Sequence, residues 1–198
     1  TEIRGEDRLE GVVVSQVDEQ FNPVPGTEKE YPCDTLILSV GLIPENELTW
    51  MAGAREDAKT KGAAVDERFQ TTVPGIFGAG NVLHVHDLVD FVSLEAEAMA
   101  DGVACYLSRE SLAESFLKVV GNPLVGQLVP ERISGKENVT VSFRVKKPVK
   151  ACTIELRQGE RVIKAVKKPK LLPAEMVQIS IDKKLLNEGE NLEVSVLC

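Results

Sequence analysis

Apolar and polar positions repeat with two different periods along this chain, and the change from one to the other divides it. Val92, Ala96, Met99, Val103 and Leu107 recur at helical spacing, so they share one face of a helix predicted over residues 91–108. Asp90 stands where an N-cap would. Gly102, which costs about 1 kcal/mol against Ala inside a helix, implies close packing against a neighbouring element. After Glu110 the period becomes two. Val139, Val141, Phe143 and Val145 alternate with polar residues, and so do Cys152, Ile154 and Leu156, then Val177, Ile179 and Ile181, then Leu192, Val194 and Val196. Gln158-Gly159-Glu160 and Asn187-Glu188-Gly189-Glu190 supply turns between these runs. With further strands around residues 116–120 and 127–133, the pattern predicts an antiparallel β-sandwich of immunoglobulin-like architecture. The Cys-Trp-Cys core of antibody domains is absent, since the single Trp is Trp50.

Before the helix the pattern is different again. Val12, Val13 and Val14 centre a strand over residues 9–17, which Asn22-Pro23-Val24-Pro25-Gly26 interrupts with a turn. Thr35-Leu36-Ile37-Leu38-Ser39-Val40 is a nearly continuous apolar run bounded by Asp34 and Gly41, the signature of a strand buried on both faces. Pro44-Glu45-Asn46 can open a short helix through Trp50 and Met51. Val73-Pro74-Gly75-Ile76-Phe77-Gly78-Ala79-Gly80-Asn81 reads as a Pro-Gly turn leading into an apolar strand that ends in small residues. The fold class expected is α+β. A partial α/β segment over residues 1–112 precedes the β-sandwich over residues 113–198.

Charge sharpens this division. Residues 1–110 carry 8 basic and 21 acidic side chains, a net of −13, while the remainder carries 15 and 10, a net of +5. The two parts can attract each other. The lysines between Lys146 and Lys170 flank strand-like segments with almost no aromatic residues for base stacking, so edge protection is favoured over nucleic-acid binding. The 198 residues, 43% apolar and 27% charged, include neither a signal peptide nor a long apolar span. The expectation is a truncated cytoplasmic protein without membrane or nucleic-acid partners, the chain not beginning with Met. Cys33, Cys105, Cys152 and Cys198 lie far apart without any C-x-x-C pair, which suits free thiols in a reducing compartment. Core packing is expected for Cys105 and Cys152.

Two motifs carry candidate chemistry. Cys33-Asp34-Thr35-Leu36-Ile37-Leu38-Ser39-Val40-Gly41-Leu42-Ile43-Pro44-Glu45-Asn46, followed by Thr72-Val73-Pro74-Gly75-Ile76-Phe77-Gly78-Ala79-Gly80-Asn81, resembles the FAD- and NAD(P)-dependent pyridine nucleotide-disulphide oxidoreductase family. Leu42 stands where that family usually has arginine, and Asn81 where it usually has an aspartate that bonds the FAD ribityl chain. An amide can still make such a contact, without its charge-assisted part. The resemblance implies FAD and NAD(P) as cofactors, with Gly80 and Asn81 at the ribityl region. Phe91 and Val92 would then approach the flavin ring at the N-terminus of the helix. Read without the family, Gly75, Gly78 and Gly80 form a tight strand-to-loop turn.

His84-Val85-His86-Asp87 is the only histidine cluster. Two imidazoles are too few for a metal site, although Asp87 and Asp90 could be recruited, and no metal is expected. His84 or His86 could hold the loop by hydrogen bonds, or line the flavin edge as an acid or base. The G-x-G-x-x-G turns that bind FAD and NAD(P) phosphates are absent from the sequence. The resemblance therefore covers the C-terminal part of such an enzyme. The expectation is a fragment, inactive alone, partnered by a missing N-terminal half or another subunit and prone to homo-oligomerise through its apolar face. The competing class is a non-catalytic assembly module carrying an immunoglobulin-like domain.

Overall fold

The computed structural model describes residues 1–39, 41–109 and 112–198 and falls into two compact units, Thr1–Gly41 and Leu42–Cys198. Val40 and Glu110, both part of the sequence expectations, lie outside the described residues. In the first unit, strands β1 (Glu2–Arg4), β2 (Gly11–Val14) and β3 (Lys29–Pro32) form an antiparallel sheet in the order β1-β2-β3. Its β2–β3 connection is closed by Asp18, whose Oδ1 accepts from the backbone N–H groups of Gln20 and Asn22, both at 2.9 Å. The expected strand over residues 35–40 is not formed at 35–39. Leu36, Ile37 and Leu38 are exposed there, Ile37 by 87%. A strand of that composition needs neighbours on both edges and cover on both faces, and no described segment pairs with it.

In the second unit, α1 (Glu47–Met51) begins where the sequence placed it, although Asn46 caps nothing with its side chain. Asn46 is instead buried, donating from Nδ2 to the carbonyl oxygen of Val82 at 2.8 Å. The expected strand at Ile76–Phe77 is only an isolated bridge between Gln70 and Phe77. This stretch is organised by side chains that mimic turns. Asp57 Oδ1 accepts from the backbone N–H groups of Lys59 and Thr60, and Asp66 Oδ1 from those of Arg68 and Gln70. A 3-10 turn at Gly80–Val82 precedes α2 (Val89–Arg109). The helix starts two residues early, at Val89, so Asp90 lies in its first turn rather than at the N-cap. Val92, Ala96, Met99 and Val103 are half-buried as expected, but Leu107 is exposed. A Cβ at Gly102 would collide with the carbonyl oxygen of Arg68, which is the close packing that its place in a helix implied. Among the described residues no helix is long and apolar enough to cross a membrane.

Eight strands follow: β4 (Leu117–Gly121), β5 (Val125–Val129), β6 (Arg132–Ile133), β7 (Val139–Val145), β8 (Val149–Gln158), β9 (Arg161–Leu171), β10 (Val177–Ile181) and β11 (Leu192–Leu197). They form two sheets, ordered β10-β7-β5 and β6-β4-β11-β8-β9. The alternating residues of β7, β8, β10 and β11 turn inward to one apolar cluster shared by both sheets, with Phe143, Ile154, Leu156 and Leu192 at most 1% exposed. One departure from the expected antiparallel pattern is that β4 and β11 run parallel. The sheet edge at β9 carries Lys164, Lys167, Lys168 and Lys170, the arrangement that blunts edge-to-edge pairing. Cys152 is buried in the cluster and Cys105 is half-buried on α2.

The division expected between residues 112 and 113 lies inside the second unit. Polar ties cross it. Arg132 Nη2 donates to the carbonyl oxygens of Thr71 (2.7 Å) and Gln70 (3.1 Å), Arg55 pairs with Glu131 at 2.7 Å, and Arg68 pairs with Glu137 at 2.9 Å. Val129 of β5 also packs with Ala63, Val65 and Leu83 in a small second cluster.

Candidate functional site

The site is built on the segment between Gly78 and the first turns of α2. Gly80 adopts φ +76°, a left-handed conformation that side chains avoid, and a Cβ there would press on Val92 at 3.3 Å. The backbone is thereby turned so that Gly80 N–H points at α2, where it donates to Glu95 Oε1 at 2.6 Å. The 3-10 turn then brings both histidines back against the same side chain. His84 Nε2 lies 2.9 Å and His86 Nε2 3.3 Å from Glu95 Oε2, with the two rings in edge contact at 4.5 Å. The side chains of His84 and His86 are 1% exposed and that of Glu95 is 4% exposed. Burial pushes the Glu95 carboxyl up, but hydrogen bonds from His84 and His86 and the Gly80 N–H outweigh it and hold the pKa at about 2.

Leu83, between the turn and the histidines, is fully buried and fixes the segment from the other side. Beyond the histidines, the segment is tied to the sheets by Arg144 of β7. Its guanidinium donates to the carbonyl oxygens of Val85 (2.9 Å), Pro173 (3.3 Å) and Ala174, and to Asp87 Oδ1 at 3.2 Å. Asp87 Oδ2 also accepts from the backbone N–H of Met176 at 3.3 Å. Asp87 is thus a structural brace and stands apart from the histidine pair.

The sequence candidates fall into two groups. His84, His86 and Gly80 come together around Glu95, with both imidazoles directed inward. Asn81 is exposed, its Oδ1 accepting from His86 N–H at 3.1 Å, and no described group accepts from its Nδ2. Phe91 and Val92 are half-buried in the first turns of α2, beside exposed Leu88 and Val89. Glu95 was missed, although it lies three residues after Val92 and four before Met99. A carboxylate on an otherwise apolar stripe is the signal that marks it. Asn46 was missed as a site-building residue because its partner, Val82, is distant in sequence.

Next to this segment, α2 and the β10-β7-β5 sheet enclose a cleft of about 310 Å³ lined by Glu95, Leu94, Ala98, Asp66, Ser142 and Gln178, among others. Burial and the neighbouring Glu67 raise the Asp66 carboxyl to about 6, against the hydrogen bonds it accepts from Arg68 and Gln70.

The residues at the turn fit the ring-proximal end of a flavin nucleotide. An exposed amide with a free donor stands at Asn81, and the first turn of a 21-residue helix lies beside exposed apolar side chains. Nothing in the sequence supplies a G-x-G-x-x-G turn for the phosphates.

Comparison with known proteins identifies the family. The model of the pyridine nucleotide-disulphide oxidoreductase family matches residues 2–102. The chain is 32% identical over 89 residues to the glutamate synthase [NADPH] small chain of Escherichia coli, covering 42% of this chain and 19% of that protein. It is 35% identical over 81 residues to the mitochondrial dihydrolipoyl dehydrogenase of Caenorhabditis elegans, covering 40% and 15%. It is 32% identical over 117 residues to the glutamate synthase [NADPH] small chain of Halomonas elongata, covering 52% and 25%. The chain therefore spans a quarter or less of the length of these relatives. No solved structure matches it. With the family model covering residues 2–102 and both motifs inside that range, the chain belongs to the pyridine nucleotide-disulphide oxidoreductase family, whose enzymes depend on FAD and NAD(P).

Proposed function

We propose that this chain forms the ring-proximal part of the flavin site of an NAD(P)-linked oxidoreductase, the phosphate-binding turns being supplied by polypeptide outside these 198 residues. FAD, when bound, supplies the ring that exchanges hydride with the nicotinamide. The chain's own residues bind and orient. Asn81 offers its free Nδ2 to a ribityl hydroxyl, and its Oδ1 is kept in place by His86 N–H. Gly80 keeps the backbone close enough for that contact, and the positive end of the α2 dipole lies where negative charge collects on a reduced ring. Glu95, with His84 and His86 behind it, fixes the Gly80 turn, so the two histidines serve first as positioning residues.

The two-sheet body, taken as an immunoglobulin-like sandwich, serves as a rigid support. What favours this is Arg144, which anchors the carbonyl oxygens on the far side of the histidine segment to β7. The exposed run at Leu36, Ile37 and Leu38 suits a partner segment or a second copy that completes a sheet.

The observation that carries the flavin reading is the exposed Asn81 amide beside the Gly80 turn at the start of α2. The polypeptide that contains these residues together with a G-x-G-x-x-G segment is expected to retain yellow flavin through gel filtration. Asn81→Ala should weaken that retention about tenfold, the worth of one hydrogen bond. A polypeptide that neither purifies with flavin nor quenches added FAD fluorescence would refute the reading.

A further inference from the structure

Three atoms of metal-ligating type converge between α2 and the segment that precedes it, and the flavin reading does not use that convergence. One ligand atom from each of His84, His86 and Glu95 lies within 4.8 Å of the other two, and the side chains are nearly sealed from solvent. Asn81 decides what the ring nitrogens of His86 can do. Because Asn81 Oδ1 accepts from His86 N–H at 3.1 Å, that atom is the oxygen, and it also faces His86 Nδ1 at 3.4 Å. With Asn81 Oδ1 as the acceptor on that side, the tautomer protonated at Nδ1 leaves a neutral His86 with a bare lone pair at Nε2. That lone pair points at Glu95 Oε2 from 3.3 Å. In that tautomer two buried acceptors face each other and a cation between them makes the arrangement favourable, whereas a proton on Nε2 makes the same contact a hydrogen bond to Glu95.

The two distances to Glu95 fit a cation. His84 Nε2 and His86 Nε2 stand 2.9 and 3.3 Å from the same oxygen. Neighbouring ligands around a first-row transition ion are about 3.0–3.4 Å apart when the bonds are about 2.1 Å. The surroundings are those of a ligand set as well. Asn81 fixes the ring of His86 through its far nitrogen, and Gly80 N–H holds the second oxygen of Glu95 at 2.6 Å, the outer contacts that orient metal ligands.

We propose that His84, His86 and Glu95 bind one divalent transition cation of the zinc type, through the two Nε2 atoms and a Glu95 oxygen. Two imidazoles with one carboxylate suit such an ion better than calcium or magnesium, which favour all-oxygen ligand sets.

Cobalt(II), as a coloured substitute for zinc, provides the test. The full chain, stripped with chelator and titrated with Co²⁺, is expected to take up one equivalent with visible d–d bands. It should lack the near-ultraviolet thiolate band that any of the four cysteines would give. Added Zn²⁺ should bleach the colour. Glu95→Gln and His86→Gln should abolish the uptake, and because a buried variant can fail to fold, exposed Asn81→Ala gives a second reading. That variant should bind Co²⁺ about 10–100-fold more weakly while its circular dichroism stays unchanged. Flavin is absent throughout, so the result stands or falls apart from the flavin reading. A folded wild-type chain that takes up neither ion at micromolar concentration overturns the proposal and assigns the gap to a proton on His86. Uptake that carries the thiolate band or survives Glu95→Gln overturns it too.

Discussion

Residues 42–109 and 112–198 share one compact unit but are held together by different forces. The two sheets enclose a continuous apolar cluster that draws on almost every strand. The preceding segment's apolar cluster among the described residues is small, Ala63, Val65 and Leu83 with Phe69 packed against them, completed by Val129 from β5. In its place it has polar ties, namely Asx-type turns at Asp57 and Asp66, the Asn46 amide and the Glu95 pairings. An apolar cluster tolerates small shifts in any one member because the burial term is non-directional. A polar frame fails locally when one donor or acceptor is lost, because the partner is left buried and unsatisfied. The first kind supplies stability and the second supplies position, which is what a site requires.

The comparison can be broken most forcefully at Phe143. Phe143→Ala should cost about 3–5 kcal/mol in denaturant unfolding, by lost burial and the cavity left behind. A loss under 1 kcal/mol would show that the sheets do not dominate stability. Next is pH. The Asp66 pKa, raised to about 6 in the folded chain, implies that the folded state holds a proton which the unfolded chain gives up near pH 4. The Asp66 contribution should therefore be fully present below about pH 4, fall on the order of 3 kcal/mol as pH rises to 6, and level off above that. Asp66→Asn, which keeps the acceptor for Arg68 and Gln70, should flatten that slope in unfolding curves measured from pH 4 to 7. Gly102→Ala is expected to destabilise by about 1–3 kcal/mol in spite of its better helix propensity, because the new methyl meets the Arg68 carbonyl. A stabilised variant would show that α2 is loosely seated. Arg55→Ala removes a tie to Glu131 whose arginine side chain is 55% exposed, and should change thermal stability by less than about 1 kcal/mol.

Sequence reading followed the same contrast. The strands β7, β8, β10 and β11 were legible because alternation reports directly which side chains enter a shared core, and α2 was legible from its 3.6-residue stripe. The run at residues 35–39 misled because its apolarity describes what the segment would need around it, and such neighbours are not encoded in its own residues. β9 was harder to see since an edge strand need not alternate, and its lysines obscure the pattern. In the site, the histidines and Asn81 stood out by residue type. Their arrangement did not, because it depends on Glu95 arriving from a helix 9 and 11 positions later. The parallel pairing of β4 with β11 depends on residues more than 70 positions apart, which no local period records.

Arg144 gives the two regions a common mechanical fate. One guanidinium, rooted in the sheet that carries Phe143, grips the chain at Val85 and the bend at Pro173–Ala174 together. A molecule or ion that pulls the Gly80–Asp87 strap even slightly must strain that grip. Occupancy at the turn should then register as chemical-shift changes along β7, a distant gauge for an event the sheets never touch.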